Sequence, residues 1–247
     1  MNRSLWEPLS PSDAWFLYAE RPLPGISSVE HMERRRTRLG RHPERGRDDP
    51  ALVAAILDEA LICHVGFVID GYPAVIPTIH ARSDSTLYLH GSTASRMLQT
   101  APGTEVCVVA TLLDGIVMAR SAFNHSMNYR SVVVYARPRV VTDPDEKMAA
   151  FETLVEHVAR GRWADARRPT PAEMTATTVL ALPLDEASVK VRTGPPKDDQ
   201  ADLELATWAG VVPVGVDVGT PEPDPALLPT VALPDYIRRY RRPKAEP

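Results

Sequence analysis

The chain has 247 residues, 44% of them hydrophobic, which is enough for one large domain with a substantial core. Its formal net charge of −4 at pH 7 argues against a generic nucleic-acid-binding protein. No segment approaches the roughly 18 consecutive apolar residues of a membrane span, and the first residues lack the apolar core of a signal peptide. Cys63 and Cys107 form no CxxC pair and lie in apolar strand patterns, so we expect free thiols and a cytoplasmic protein.

Residues 1–49 are rich in Pro and Arg and show little hydrophobic periodicity. Segment 33–47 contains seven arginines, which could contact phosphates of nucleic acid or of a substrate, or a partner subunit. We favour a solvated extension that docks on the domain surface, because no aromatic residues alternate with the charges. The first predicted helix follows this segment, with Asp48 or Asp49 as its N-cap and Pro50 at its first position.

Three runs rich in β-branched residues come next and predict three strands, at residues 63–69, 72–79 and 86–90. Asp70 and Gly71 separate the first two runs. An Asp-Gly pair between two such runs is a strong β-hairpin signal. The sequence therefore predicts an antiparallel meander over this segment.

The third strand ends on a polar turn that opens a short helix, predicted at residues 94–99, with Ser92 or Thr93 as N-cap. The unpaired N–H groups of such a helix start would suit a phosphate monoester, together with the hydroxyls of Ser92 and Ser95 and the guanidinium of Arg96. The alternative is an ordinary capped helix with a solvated arginine.

The apolar run 105–113 predicts a strand buried on both faces, and the Asp-Gly pair at 114–115 predicts a hairpin that returns along 116–123. A polar stretch, 124–131, precedes a long strand at 132–141. So many hydrogen-bonding side chains between two strands indicate either a hydrated connection or a site.

Two helix starts follow. Asp143 is an N-cap with a proline after it and Glu146 at the third helical position, and Thr170 with Glu173 forms a capping box. The order of strands, then helices, then returning strands fits a closed or nearly closed antiparallel barrel decorated by helices. The returning strands are predicted at residues 177–182 and 187–193, with an edge strand at 208–213.

Several well-known chemistries have no motif in this chain. It contains no GxGxxG after a strand, no GxxxxGK[ST], no HExxH and no G-x-S-x-G. The seven histidines are scattered along the sequence, so we expect no metal site.

The block LYLHGSTASRM and the later NYRSV resemble the FMN-binding split-barrel proteins of the pyridoxamine 5'-phosphate oxidase-like superfamily. The likeness is strongest to the branch of flavin-nucleotide-binding and nitroimidazole-resistance proteins. It implies a mainly β fold with α decoration, a six- to seven-stranded antiparallel split barrel that forms a homodimer. The resemblance covers residues 50–215, which leaves 1–49 as an N-terminal extension and 216–247 as an extended tail with five prolines between residues 219 and 234.

The resemblance also implies a cofactor site at the dimer interface. Ser95 and Arg96 would hold the flavin phosphate, and Met97 stands where the oxidase usually has a lysine, which leaves room for FAD or a deazaflavin in place of FMN. Trp208 could stack on a ring system at the site opening. Six residues would line the ring and ribityl chain, and three would reach it from the second subunit: Ile76, Pro77, Thr78, His90, Gly91 and Ser92; then Asn128, Tyr129 and Arg130. The alternative for Arg130 is a salt bridge at the interface.

The resemblance implies an FMN-dependent oxidoreductase that transfers a hydride through flavin N5 to or from a small molecule. His90 is the candidate proton donor, and the alternative for it is a structural hydrogen-bonding role. A flavin- or haem-binding protein without turnover is the alternative function, since haem-handling proteins share this barrel. Binding of nucleic acid is a less favoured third hypothesis, and we expect no membrane association.

Overall fold

The computed structural model describes residues 46–47 and 49–242. Most of the arginine-rich segment 33–47 and the possible N-cap Asp48 therefore lie outside the described residues. The described part is built around a ten-stranded antiparallel sheet. Its strands, in chain order, are β1 (Gly46–Arg47), β2 (Ile62–Ile69), β3 (Tyr72–Ser83), β4 (Thr86–Ser92), β5 (Val106–Met118), β6 (Ser126–Ala136), β7 (Arg139–Val140), β8 (Thr177–Pro183), β9 (Glu186–Arg192) and β10 (Gly210–Pro213).

The strands follow the order β1-β9-β6-β5-β2-β3-β4-β8-β7, and β10 pairs with β5 beside β6. The sheet curls so that one face encloses a hydrophobic core, which confirms the predicted mainly β split barrel with peripheral helices. Seven strands are long, as predicted. The other three are short: β1 and β7 have two residues each, and β10 has four.

Within the described residues, six short to medium helices surround the sheet, with two single 3₁₀ turns at Ala122–Asn124 and Gln200–Glu204. No helix in the described part of the chain is long and apolar enough to cross a membrane. The helices are α1 (Pro50–Glu59), α2 (Arg96–Thr100), α3 (Pro144–Val158), α4 (Arg162–Asp165), α5 (Pro171–Ala176) and α6 (Asp235–Arg238).

Three predicted helix starts are confirmed. Asp49 caps α1, and its carboxylate accepts from the N–H of Ala51 at 2.9 Å, ahead of the residues that α1 buries in the core. Asp143 caps α3 in the same way, and Thr170 forms the predicted capping box of α5. In each case a short oxygen side chain satisfies N–H groups that the first turn leaves unpaired, and proline follows at the first helical position.

The hairpin at Asp70-Gly71 is also confirmed. Both residues have positive φ, 51° and 80°, as a two-residue type I′ turn requires. β2 and β3 pair along their whole shared length on either side of this turn. The turn preference of Asp-Gly and the pairing of β2 with β3 therefore specify the same hairpin.

The second predicted hairpin, at 114–115, is wrong. β5 is one strand that pairs with β6 on both sides of Asp114, with a bulge at that residue. The Asp114 carboxylate accepts two hydrogen bonds from Arg130, and a Cβ at Gly115 would stand 2.9 Å from a methyl carbon of Val211 in β10. The chain reverses later, in the 3₁₀ turn Ala122–Asn124.

The polar stretch predicted as a connection is mostly strand. β6 begins at Ser126, so residues 126–131 form its first half, and their side chains alternate between the two faces of the sheet. β6 also ends at Ala136, earlier than predicted, and Pro138 precedes the short β7.

The last described residues are fixed to the barrel by Arg242. Its guanidinium donates to the carbonyls of Asp58 at 2.7 Å and Glu59 at 3.1 Å, and to that of His157. These carbonyls lie in the final turns of α1 and α3, where helix carbonyls lack partners and the helix dipoles favour a cation. In its described part, the tail predicted to be extended therefore contains a small helix, α6, and this contact of Arg242 with the barrel.

Candidate functional site

The barrel is split between β3 and β4. β3 pairs with β2 over residues 72–79 but with β4 only over 80–83. β4 pairs with β8 over its full length, including His90, Gly91 and Ser92. Beyond the His80 to Leu89 pair the two strands no longer bond to each other. We call this opening, between residues 72–79 of β3 and 90–92 of β4, the split.

The split brings together the six residues predicted to line the ring. Ile76, Pro77 and Thr78 lie on the β3 side, and His90, Gly91 and Ser92 lie on the β4 side. Pro77 and Pro73 have no N–H and are typical of an unpaired strand edge. A strand edge of this kind does not readily pair with another strand, so the opening is available to a flat molecule.

The turn after β4 differs in detail from the prediction. The Ser92 hydroxyl accepts from the N–H of Ala94 at 3.2 Å, and this local turn delays the helix, so α2 begins at Arg96. Ser95 is the N-cap, but its side chain makes no capping bond. α2 has only five residues, so any anion held here depends on side chains more than on a helix dipole.

Arg96 is exposed and makes no hydrogen bond or ion pair with any other described residue. The next two residues point the other way: Met97 and Leu98 are buried in the barrel core. Leu98 also explains Gly91, because a Cβ at that position would stand 3.0 Å from a Leu98 methyl carbon. At this turn the Arg96 side chain therefore faces solvent, while Met97 and Leu98 pack α2 against the core.

His90 lies on the α3 side of β4. Its ring meets Phe151 of α3 edge-on, with 6.3 Å between the ring centroids. Burial lowers the pKa of His90 below its usual value, so the imidazole is neutral at pH 7. Its Nδ1 is buried and has no hydrogen-bond partner among the described residues. The role of His90 as a proton donor stays a prediction.

Asn128, Tyr129 and Arg130 do not line the split of their own chain. Arg130 is buried and forms two bidentate ion pairs, with Glu59 at 2.6 and 3.0 Å and with Asp114 at 2.7 and 2.9 Å. These bonds, to Asp114 first, raise the pKa of Arg130.

The other two members of this motif face different surroundings. Asn128 is buried and bonded to Arg192 and to the carbonyl of Gly194. Tyr129 is half-buried, with the Lys190 ammonium 5.9 Å from its ring centroid. A contact with a second subunit by these residues stays a prediction, and Tyr129 is the one whose side chain is still partly accessible.

The outer face of the sheet carries apolar side chains that the sequence analysis did not single out. Ile62 and Val68 of β2 and Val75 and Ile79 of β3 are exposed, around the exposed imidazole of His64. Strict register places them on the face opposite the core. The signal was present in the sequence, because apolar runs without polar alternation indicate strands covered on both faces.

A separate cavity of about 1010 Å³ lies between α3 and the C-terminal segment. Its lining includes charges of both signs, such as Glu152, Arg160 and Arg241, and none of the predicted site residues. We therefore locate the candidate site at the split and the adjoining outer face. Within the described residues, no group of three or more His, Cys, Asp or Glu side chains could hold a metal ion.

The family model for pyridoxamine 5'-phosphate oxidase matches residues 49–191. The chain belongs to this family. The match includes both sides of the split, the Arg96 turn and the NYRSV strand. Among curated proteins, none matches the chain.

Two solved structures are similar over most of the chain. The flavocytochrome Anf3 from Azotobacter vinelandii has 40% sequence identity, a TM-score of 0.80, and coverage of 83% of this chain and 96% of its own. An FAD and heme binding protein from Mycobacterium smegmatis has 34% identity and a TM-score of 0.76, with coverage of 78% and 96%. A protein named for 5-nitroimidazole antibiotic resistance, from Bacteroides thetaiotaomicron, shares the fold at 23% identity and a TM-score of 0.50, with coverage of 59% and 86%.

Proposed function

We propose that this protein is a flavin-dependent oxidoreductase that binds its flavin in the split and transfers electrons to or from a small molecule. The observation that carries the proposal is the split itself: two unpaired strand edges lead to a turn with a free arginine. Such an opening accepts a flat ring along the strands and a phosphorylated tail at the turn. The alternative of an ordinary capped helix leaves the unpaired edges unexplained.

The residues at the turn suit an anionic tail. Arg96 is exposed and bonded to no carboxylate of the described residues, and the hydroxyl of Ser95 is not used in capping. A guanidinium binds phosphate oxygens through paired N–H donors, and such charge-assisted bonds are about twice as strong as neutral ones. Ser95 and Arg96 would therefore hold the phosphate, while Met97 contributes to the core.

We favour FAD over FMN. The relatives of 40% and 34% identity are described as a flavocytochrome and as an FAD and heme binding protein, respectively. Burial of Met97 also leaves one cation, Arg96, where the oxidase pattern has two, which weakens the case for a terminal monophosphate. FMN and a deazaflavin are the other outcomes of the test below. The same relatives support haem as a second cofactor.

The chain's own groups would bind and orient rather than react. A bound flavin would accept or deliver a hydride at N5. Ile76 and Thr78 would contact one side of the ring system, and Gly91 and Ser92 the other. A neutral His90 could accept a hydrogen bond at Nδ1, the buried nitrogen that has no partner among the described residues.

We propose that the protein is a homodimer joined through the outer face. Monomeric proteins rarely expose a contiguous apolar patch as extensive as that of β2 and β3, where Val68 is 58% and Val75 is 65% exposed. A second copy would cover this patch and bring Tyr129 toward the partner's split. We expect the dimer to reside in the cytoplasm, and the negative net charge continues to disfavour nucleic acid as a partner.

The decisive test is the mass of the small molecule released when the purified protein is denatured. We expect FAD, with flavin absorbance before release. The Arg96→Gln variant should bind flavin roughly 10- to 100-fold more weakly, since a charge-assisted bond contributes about 1.5–3 kcal/mol. Arg238→Gln, which removes an exposed arginine on α6, is the matched control and should bind as the parent does.

A flavin- or haem-binding protein without turnover is the second candidate, favoured by the neutral state of His90. Anaerobic addition of NADH, NADPH or a reduced deazaflavin, followed by oxygen or a nitro compound, separates the two. Bleaching and recovery of the flavin absorbance over many cycles supports an oxidoreductase. A flavin that none of these compounds reduces supports a carrier. If the purified parent protein binds no flavin, or if the released molecule belongs to another class, the assignment of the split is wrong.

A further inference from the structure

A second exposed apolar patch lies at the opposite end of the outer face, where β5, β6 and β10 meet. Ile116 stands opposite Met127 on one side and opposite Val212 on the other, so the three form a row across adjacent strands. They are 40%, 54% and 45% exposed. Phe123, 90% exposed, lies in the turn before β6, and Trp208, 67% exposed, lies just before β10. We call these five residues the β10 patch.

The β10 patch is bordered by an imidazole that is ready to bind a metal. His125 Nδ1 lies 3.0 Å from the carbonyl oxygen of Ser121, so this nitrogen carries the proton and donates. Nε2 then has a free lone pair, and no described residue bonds to it. His125 directly precedes β6, between Phe123 and Met127 of the β10 patch in the sequence.

This arrangement matches what an axial haem ligand requires. A histidine that binds iron through Nε2 usually donates its Nδ1 proton to a carbonyl or a carboxylate, which fixes the tautomer and the ring direction. A porphyrin is flat and largely apolar, so it needs an apolar surface beside the ligand. The β10 patch supplies that surface.

Trp208 strengthens the fit. A Cβ at Gly210 would lie 3.0 Å from the Trp208 indole ring, so the glycine allows the ring to lie close against β10. The ring is therefore held near the row that contains Val212 rather than extended into solvent. An aromatic face at this position could stack on one side of a porphyrin.

The other described histidines are less suitable. His80 is fully buried, and its Nε2 is bonded to the Leu57 carbonyl at 2.9 Å. His157 is bonded to the Ala60 carbonyl at 2.9 Å, and His90 is packed against Phe151. His64 is exposed but has no hydrogen bond that fixes its tautomer, which makes it the natural comparison for an experiment.

We propose that His125 is an axial ligand of a haem that rests on the β10 patch. This inference rests on the proposed function in that haem is expected as the second cofactor, but it uses none of the residues of the split. Electrons could then pass between a flavin in the split and an iron at the other end of the same outer face, without either group occupying the other's site.

The test is titration of the purified full chain with ferric protoporphyrin IX, followed by the Soret band and electron paramagnetic resonance. In the parent protein we expect the high-spin spectrum of a ferric haem with one histidine ligand. His125→Gly should shift the Soret band and weaken haem binding roughly tenfold or more, and added imidazole should restore the parent spectrum. Arg137→Gly, at an exposed position outside the split and both patches, is the control and should leave the spectrum unchanged. His64→Gly tests the other exposed histidine.

The outcomes separate this proposal from that of the split. If His125→Gly keeps the parent spectrum, or if His64→Gly is the variant that loses it, the assignment of His125 is wrong even though flavin release still identifies the split. Absence of haem binding in the parent also overturns it. Trp208→Ala is a second variant that does not touch the ligand, and it should lower haem affinity while preserving the histidine signature.

Discussion

Two arginines mark two regions of the barrel that are built in opposite ways. At the split, Arg96 is exposed and free of any described partner, beside strand edges that are not paired. Where β6 pairs with β5, Arg130 is buried and forms four charge-assisted hydrogen bonds with Glu59 and Asp114. Both arginines were candidates for cofactor binding. The difference shows that a basic residue in a family motif can either stabilise the fold or bind a ligand. The hydrogen-bond partners of its side chain decide which.

The largest expected effect is therefore on Arg130. Arg130→Ala would leave two carboxylates near each other in a poorly solvated place, and breaking a buried ion pair typically lowers the free energy of unfolding by about 3–5 kcal/mol. Chemical denaturation of the apoprotein measures this directly. Arg96→Ala is the matched control, and we expect less than about 0.5 kcal/mol from it because the side chain touches nothing described. A loss below about 1 kcal/mol for Arg130→Ala would mean that the pairs are not structural.

The next effect is a dependence of stability on pH, located at His157. Burial, helped by the nearby His80 and Arg242, lowers the pKa of His157 to about 4, against the opposing bond to the Ala60 carbonyl. As the pH falls, His157 is therefore protonated near pH 6.5 in the unfolded chain but only near pH 4 in the folded chain.

It follows that stability is full above about pH 6.5 and falls as the pH drops toward 4, by at most about 3 kcal/mol for this one histidine. Thermal unfolding at intervals from pH 7.5 to 4.5 measures it. His157→Gln keeps a donor for the Ala60 carbonyl and removes the titration, so its stability should vary less over this range. If the stabilities of the variant and the parent change equally with pH, the assignment of the pH dependence to His157 is wrong. Arg137→Gln, at an exposed position, is the control.

The fold was largely predictable from the sequence, and the reason is visible in the two Asp-Gly pairs. At 70–71 the dipeptide makes the predicted turn, with both residues at positive φ. At 114–115 the same dipeptide lies inside a strand, because Arg130 bonds Asp114 and β10 packs on Gly115. Turn preferences are local, whereas these contacts join residues far apart in sequence. A single sequence does not show such partners.

The site was predictable to a similar degree. The residues of the split are consecutive on two strands, so a resemblance that fixes the strands also fixes them. The role of Arg130 and the β10 patch depends on registers between β5, β6 and β10, which follow from the bulge at Asp114 and were not predicted. His125 looked like one polar residue among several in a connection until the strand start at Ser126 separated it from the rest.

The smallest effects separate the two serines of the turn. Ser92 accepts a hydrogen bond from the Ala94 N–H, so Ser92→Ala should reduce apoprotein stability by about 0.5–1 kcal/mol, as loss of one such bond does. Ser95 makes no capping bond, so Ser95→Ala should leave apoprotein stability within about 0.5 kcal/mol of the parent. With flavin present, the order should reverse, because only Ser95 would lose a direct bond to the phosphate. Denaturation midpoints with and without saturating FAD measure both quantities in one series. If the two variants have equal effects under both conditions, the turn is an ordinary helix start. Arg96 is then a solvated side chain that holds no phosphate.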